Sequence, residues 1–332
     1  MSDFPFNRER RNLRGTIFAS SGFALDRSLI HLARKPMNNQ KTLAREVEIR
    51  GTGLHTAVCV TVRLRPAPPD AGYVFIRTDL GGFEIPASIE HVANCSYATT
   101  LMRTGVMLST VEHLLAALRG MGIDNAYIEV DNLEIPIMDG SAEPFVALIE
   151  RAGVVEQQAE RHALRVLRRV SVEQGERCIS IEPASGYEID CTIDFAHPVI
   201  GRQRYLVREL DPASFAREIA PARTFGFTAE IEQLRRANLI RGGSLDNAIV
   251  LSPEGVLNPS GLRYHDEFVR HKVLDIIGDL ALVGLPIIGR VTAERSGHLL
   301  HALLLNRLLR DARAWEIVEL PAARPAFQPA GA

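Results

Sequence analysis

The chain has 332 residues, 46% hydrophobic, with 38 Lys+Arg against 40 Asp+Glu and a formal net charge of −2. That length suits one large or two ordinary domains, and the charge balance gives no reason to expect nucleic acid or an anionic membrane as partner. Cys59, Cys95, Cys178 and Cys191 lie far apart with no CxxC pair, and no apolar run is long enough to span a bilayer. Both observations argue against a thiolate zinc site, a disulfide framework or an integral membrane segment, and for a reducing cytoplasm.

Residues 1–40 carry seven Lys/Arg against Asp3, Glu9 and Asp26, and their apolar piece GTIFASSGFAL is broken by Ser and Gly. A disordered basic extension is expected there rather than a secretory signal. Regular structure is expected from residue 41. Strand-like runs come first: AVCVTVRLR, closed by PAPPDAG, then YVFIRTDL, FEIPASI and ATTLMRT. STVEHLLAALRGMG reads as a helix with Ser109 as N-cap, NAYIEV as a strand, and GSAEPFVALIERAGV as a helix capped by Ser141. The polar EQQAERHA at 156–163 reads as a linker. The same order then repeats: strands in ALRVLRRVSVE, RCISIEP and YEIDCTIDF, and helices near 229–238, 266–284 and 297–312, with NAIVLS and IIGRVTAE as strands between them. This predicts two similar α+β domains, 41–158 and 159–325, with a loose tail at 326–332.

The helix DEFVRHKVLDIIGDL is apolar except for a few ionisable residues. Relative to His271, Asp275 falls at about 40°, Asp279 at about 80° and Lys272 at about 100° around the axis, so all four share a face. That pattern fits an ordinary solvated face, but Phe268 lies within the same arc and suggests a cleft. His and Asp at i, i+4 can point at one metal ion, and His113 is the candidate third ligand, although a histidine satisfied within its helix fits His113 as well. Glu112 reads equally as the last residue of a Ser109 capping box and as a general base beside a metal ligand. His298 lies in the first turn of a helix predicted to be capped by Ser296, and Asp279 is a carboxylate that can restore its acidity. Thr224 precedes a helix and has a hydroxyl able to donate to an oxyanion. Asp139-Gly140 reads as a structural turn.

Together GTGLHTA, LSTVEHLLAALRGMGIDNAYIEVDNLEIPIMDGSAEPF, ARTFGF, GGSLDNAIV, LRYHDEFVRHKVLDIIGDL and SGH resemble the UDP-3-O-acyl-N-acetylglucosamine deacetylases, zinc amidases of lipid A synthesis. The resemblance covers about residues 41–325. It implies two α+β domains, each a small, mainly antiparallel sheet packed on helices, with the active site between them. It implies Zn2+ held by His113, His271 and Asp275. Glu112 is then the general base, His298 the general acid, Thr224 the oxyanion donor and Asp279 the carboxylate behind His298. Lys272 and Phe225 contact substrate. One departure is His301, where the family commonly has Asn; another is the basic extension, which is outside the family pattern.

The expected function is zinc-dependent removal of the 2-acetamido acetyl group from a lipid-linked nucleotide sugar by a cytoplasmic monomer. The apolar stretch after Phe225 is expected to wall a passage for the acyl chain. Two alternatives are an amidase of the same fold acting on another acetamido sugar, and an inactive homologue that binds nucleotide sugar. The intact Glu112, His113, His271, Asp275 and His298 set speaks against the inactive one.

Overall fold

Strand alternation works as the sequence predicts. In Cys59–Pro66, Val60, Val62 and Leu64 are fully buried while the intervening side chains point outward. This strand belongs to a five-stranded sheet with the spatial order Val47–Thr52, Cys59–Pro66, Ala126–Val130, Tyr73–Arg77, Phe83–Pro86. Its pairs are antiparallel except that of Tyr73–Arg77 with Ala126–Val130. The connection between those two parallel strands carries helix α1 (Glu112–Gly120), and α2 (Glu143–Ala152) follows the second of them. The chain is described by a computed structural model, in which the described residues are 38–237 and 239–320. The expected disorder of residues 1–40 concerns residues almost all outside that range, and the expected tail at 326–332 lies wholly outside it.

The second half repeats the plan. Its seven-stranded sheet is organised around Ile287–Glu294, which pairs in parallel with Tyr187–Phe195 and His162–Val166 and antiparallel with Arg177–Glu182. The connection from Tyr187–Phe195 carries α3 (Thr228–Arg236) and α4 (Glu267–Leu280), and α5 (His298–Arg310) follows Ile287–Glu294. Each half therefore bridges a parallel strand pair with a helix and adds a second helix behind it, the arrangement of two similar α+β units.

Helices α1 and α4, one from each half, pack along each other. Every residue of α1 is buried, and so is nearly all of α4. Their closeness depends on Gly278, because a Cβ there would lie 2.1 Å from the Glu112 carbonyl oxygen. Any side chain at 278 forces the helices apart.

Several local expectations are corrected. The supposed linker is an extended strand, Val154–Glu160, that pairs antiparallel with Asn39–Leu43. Its polar composition reflects exposure at an edge rather than absence of structure. Ser109 is not an N-cap. Thr110 turns through φ 61 before the helix begins, and the Ser109 hydroxyl meets Thr100 Oγ1 at 3.0 Å instead. Ser296 is not a cap either, since its hydroxyl goes to His301. Ser141 does receive the Glu143 N–H at 3.2 Å. The strands Gly201–Val207 and Trp315–Glu319 were not foreseen.

Candidate active site

The ionisable face of α4 points into protein. His271, Asp275 and Asp279 are 1%, 2% and 3% exposed, so the solvated-face reading is wrong. Phe268 is fully buried and stacks edge-on against Phe225 at 5.0 Å between centroids. The Gly278 contact brings the start of α1 against this face, and two clusters result.

In the first cluster, His113, His271 and Asp275 each offer a ligand atom within 4.8 Å of the others. Asp275 Oδ1 lies 3.4 Å from His271 Nε2 and 3.8 Å from His113 Nε2. The outer nitrogen of His271, Nδ1, sits 3.0 Å from the Ala222 carbonyl, which fixes the tautomer and turns Nε2 inward. Asp275 Oδ2 accepts from Lys272 Nζ at 2.8 Å, while buried Oδ1 has no hydrogen-bond partner. An orphaned carboxylate oxygen facing two imidazoles is costly unless a cation fills the gap. Two histidine nitrogens and one carboxylate oxygen suit a catalytic divalent metal, with room left for a water.

Electrostatics agree with this donor set. Burial, with the neighbouring His271, pushes His113 down to about 3, and burial also lowers His271. Burial raises Asp275, but the Lys272 ammonium, the strongest opposing influence, overcomes it and holds the carboxyl below its usual range. At neutral pH the set is therefore two neutral imidazoles and a carboxylate, the forms a metal requires.

The second cluster joins Glu112, Asp279, His298 and His301. Glu112 is 3% exposed; its Oε2 accepts the Thr99 N–H at 3.1 Å, and its Oε1 lies 4.0 Å from His298 Nε2. The capping box is thus absent, and the carboxylate faces the site. Burial raises Glu112 to about 7, against the opposing pull of His298. His298 Nδ1 donates to Asp279 Oδ2 at 2.7 Å. Burial alone would lower His298, but the Asp279 charge and hydrogen bond raise it to about 10. Asp279 is in turn held below the carboxylate range: burial opposes this, and His298 with its hydrogen bond prevails. A buried carboxyl near neutrality thus sits beside a histidine that keeps its proton.

Of the remaining predicted residues, Lys272 borders the first cluster, and Thr224 and Phe225 line a neighbouring cavity. Lys272 Nζ lies over the Phe225 ring at 5.4 Å from its centroid. Thr224 follows Ala222 by two residues and is pinned by its N–H to the Gly140 carbonyl and by Ile249 N–H to its own carbonyl, both at 2.8 Å. Thr224 and Phe225 open onto a cavity of about 390 Å³ that is also lined by Leu54, Tyr97, Ile231 and Leu234. No residue of α3, which forms one wall, is buried.

Sequence reading missed the supports. Thr99 holds both Glu112 and Asp279; Ala222 contributes only a carbonyl. Arg223 and Glu267, 6% and 0% exposed, form an ion pair at 2.8 Å that ties the 222–224 segment to the start of α4. Buried Glu134 accepts the N–H groups of His55 and Thr56, drawing the GTGLHTA loop to the cavity rim. A charge in an otherwise apolar run, as at Arg223 in IAPARTFGF, is the one signal that marked any of these.

Residues 40–310 match the family model of UDP-3-O-acyl N-acetylglycosamine deacetylase. Relatives bearing the name UDP-3-O-acyl-N-acetylglucosamine deacetylase include a Myxococcus xanthus protein, 52% identical over 287 residues, covering 86% of this chain and 90% of its own length. One from Solibacter usitatus is 51% identical over 282 residues, with 85% and 95% coverage. One from Shewanella violacea is 47% identical over 290 residues, with 86% and 95% coverage.

Proposed function

The chain belongs to the UDP-3-O-acyl N-acetylglycosamine deacetylase family, and from that premise we propose how its two clusters divide the reaction. The substrate is UDP-3-O-acyl-N-acetylglucosamine; hydrolysis of its 2-acetamido group yields acetate and the free amine, a step of lipid A biosynthesis. His113, His271 and Asp275 would hold Zn2+. When bound, zinc lowers the pKa of water and polarises the acetyl carbonyl.

This chain's own groups do the rest. Glu112, a carboxyl that burial lifts to about 7, takes a proton from the attacking water. The Thr224 hydroxyl donates to the carbonyl oxygen as it gains charge. His298 keeps its proton at neutral pH and delivers it to the nitrogen as the C–N bond breaks, since an amide anion is too poor a leaving group. Asp279 orients the His298 ring. Lys272 and Phe225 hold the sugar beside the donors, and the cavity beyond Phe225 takes the 3-O-acyl chain. The observation that carries this reading is the pairing of Glu112 Oε1 with His298 Nε2 at 4.0 Å beside three converging donors, a base and an acid in opposite charge states at one metal-type site.

The division into two α+β units is likewise our reading, supported by the repeated helix–strand–helix order, with the boundary after the strand Val154–Glu160 rather than within it. No described helix is long and apolar enough to cross a membrane, and all four cysteines are unpaired, as a reducing compartment would keep them. Acetate release from the nucleotide sugar, measured before and after chelation and again after adding zinc, tests the function. Chelation should abolish turnover and zinc restore it; full activity in chelator would contradict the metal assignment. Equal kcat/KM for an acetamido sugar without the acyl group would remove the lipid from the substrate.

A further inference from the structure

Asp279 holds more than His298. Its Oδ1 accepts the Thr99 hydroxyl at 2.6 Å, and its Oδ2 takes two imidazoles, His298 Nδ1 and His301 Nδ1, each at 2.7 Å. His301 lies one helical turn beyond His298 and is 1% exposed. Its other nitrogen, Nε2, meets Ser296 Oγ at 2.9 Å, so both ring nitrogens are engaged and neither faces the substrate cavity. Because Nδ1 faces an ionised carboxylate, it carries a proton in either charge state of the ring. The His298 and His301 rings stand nearly perpendicular, at 80°, and reach the same oxygen from different directions.

We propose that His301 is a positioning residue for the acid–base step, occupying the second lone pair of Asp279 Oδ2 so that the carboxylate is locked in plane and its charge is shared between two imidazoles. His298 is then oriented firmly but its proton is held less tightly than by an unshared carboxylate. The inference rests on His298 being the proton donor. The groups facing His298 are Glu112 and His113 from α1, His271, Asp275 and Asp279 from α4, and His301 from α5; the Cys95 thiol, which burial and the nearby Asp279 and Glu112 push up to about 12, lies beside those two carboxylates. Of these, only His301 shares the oxygen that holds His298.

Side-chain geometry supplies the test. Asn carries its Nδ2 at the branch point where His carries Nδ1, so His301→Asn can keep the donor to Asp279. Gln puts its amide one bond farther out, and Leu fills space without a donor. Deacetylation by the metal-loaded enzyme should be followed from about pH 5 to 11 for the parent chain, these three variants and His298→Ala, with metal content and Tm recorded. His301→Leu and His301→Gln should lose about tenfold in kcat with KM little changed, and their alkaline limb should move up by about half a pH unit or more. His301→Asn should recover most of the loss and return the limb, with metal content equal throughout. A changed Tm with parental kcat and pH profile in His301→Leu would overturn the role, as would His301→Asn behaving no better than Leu. If Leu prevents folding, the Asn–Gln pair still decides. Persistence of the alkaline limb in His298→Ala would instead refute the proton-donor assignment, a result distinct from any given by the position-301 variants.

Discussion

Asp275 and Asp279 lie one turn apart on α4, equally buried at 2% and 3% exposure, and differ in what fills their lone pairs. Asp275 gives one oxygen to Lys272 and leaves the other without a partner, aimed at His113 and His271. Asp279 leaves none free: Thr99, His298 and His301 take both oxygens. On the proposed reading, two identical side chains on one helix face are thereby separated into a metal ligand and a holder of a proton donor. Burial does not distinguish them; the supply of hydrogen-bond donors does. An unfilled acceptor is paid for by a cation, and a filled one fixes an orientation.

The largest effect should come from emptying the first cluster. His271→Ala is expected to purify with little zinc and almost no turnover, because one of three protein donors is lost. Metal analysis beside the acetate assay checks it, and full metal with full activity would dissolve the contrast between the two carboxylates. Next, Glu112→Ala and His298→Ala should each retain zinc and lose on the order of 10²–10⁴ in rate. If Glu112→Ala lost only stability, a capping role would be restored, though no Ser109 cap is present for it to complete. A smaller effect should follow Arg223→Leu, which leaves Glu267 buried without its partner. Breaking such a pair costs about 3–5 kcal/mol, and chemical denaturation should show it.

The metal-free protein sharpens the Asp279 side further. His298 is raised from the ordinary histidine value of 6.5 to about 10, so its contribution to stability is fully present below about 6.5 and is lost as pH rises through about 10. Metal-free chain should show a falling Tm over that window, with His298→Ala losing this component. An identical pH dependence in the variant would mean that the Asp279 pair contributes nothing to folding. The smallest change is expected for Ser109→Ala, within about 0.5 kcal/mol, since its hydroxyl caps no helix.

The sequence made the α4 face legible because i, i+4 spacing survives translation into a helix, and it placed Glu112 and His113 together at one helix start. It also made the repeated order of strands and helices legible. Convergence of α1 on α4 was not readable from spacing: it depends on Gly278, an unremarkable residue in IIGDL whose missing Cβ permits the contact. Thr99 and Ala222 escaped notice because one acts from a loop and the other through a backbone carbonyl, which any residue possesses. The Ser109 capping pattern misled because capping presumes an extended residue leading into the helix, whereas Thr110 takes a left-handed turn. Val154–Glu160 looked like a linker because its pairing partner, Asn39–Leu43, is far away in sequence and its side chains remain largely outside the core.

The most direct measurement compares zinc bound per chain in Asp275→Asn and Asp279→Asn, prepared identically. Asn keeps the size of each side chain and removes its charge. The account predicts that Asp275→Asn loses most of its zinc, whereas Asp279→Asn keeps it and fails in turnover because His298 is no longer held. Equal zinc in both variants, or loss from Asp279→Asn alone, would contradict the division of α4 into a metal ligand and a proton-donor holder.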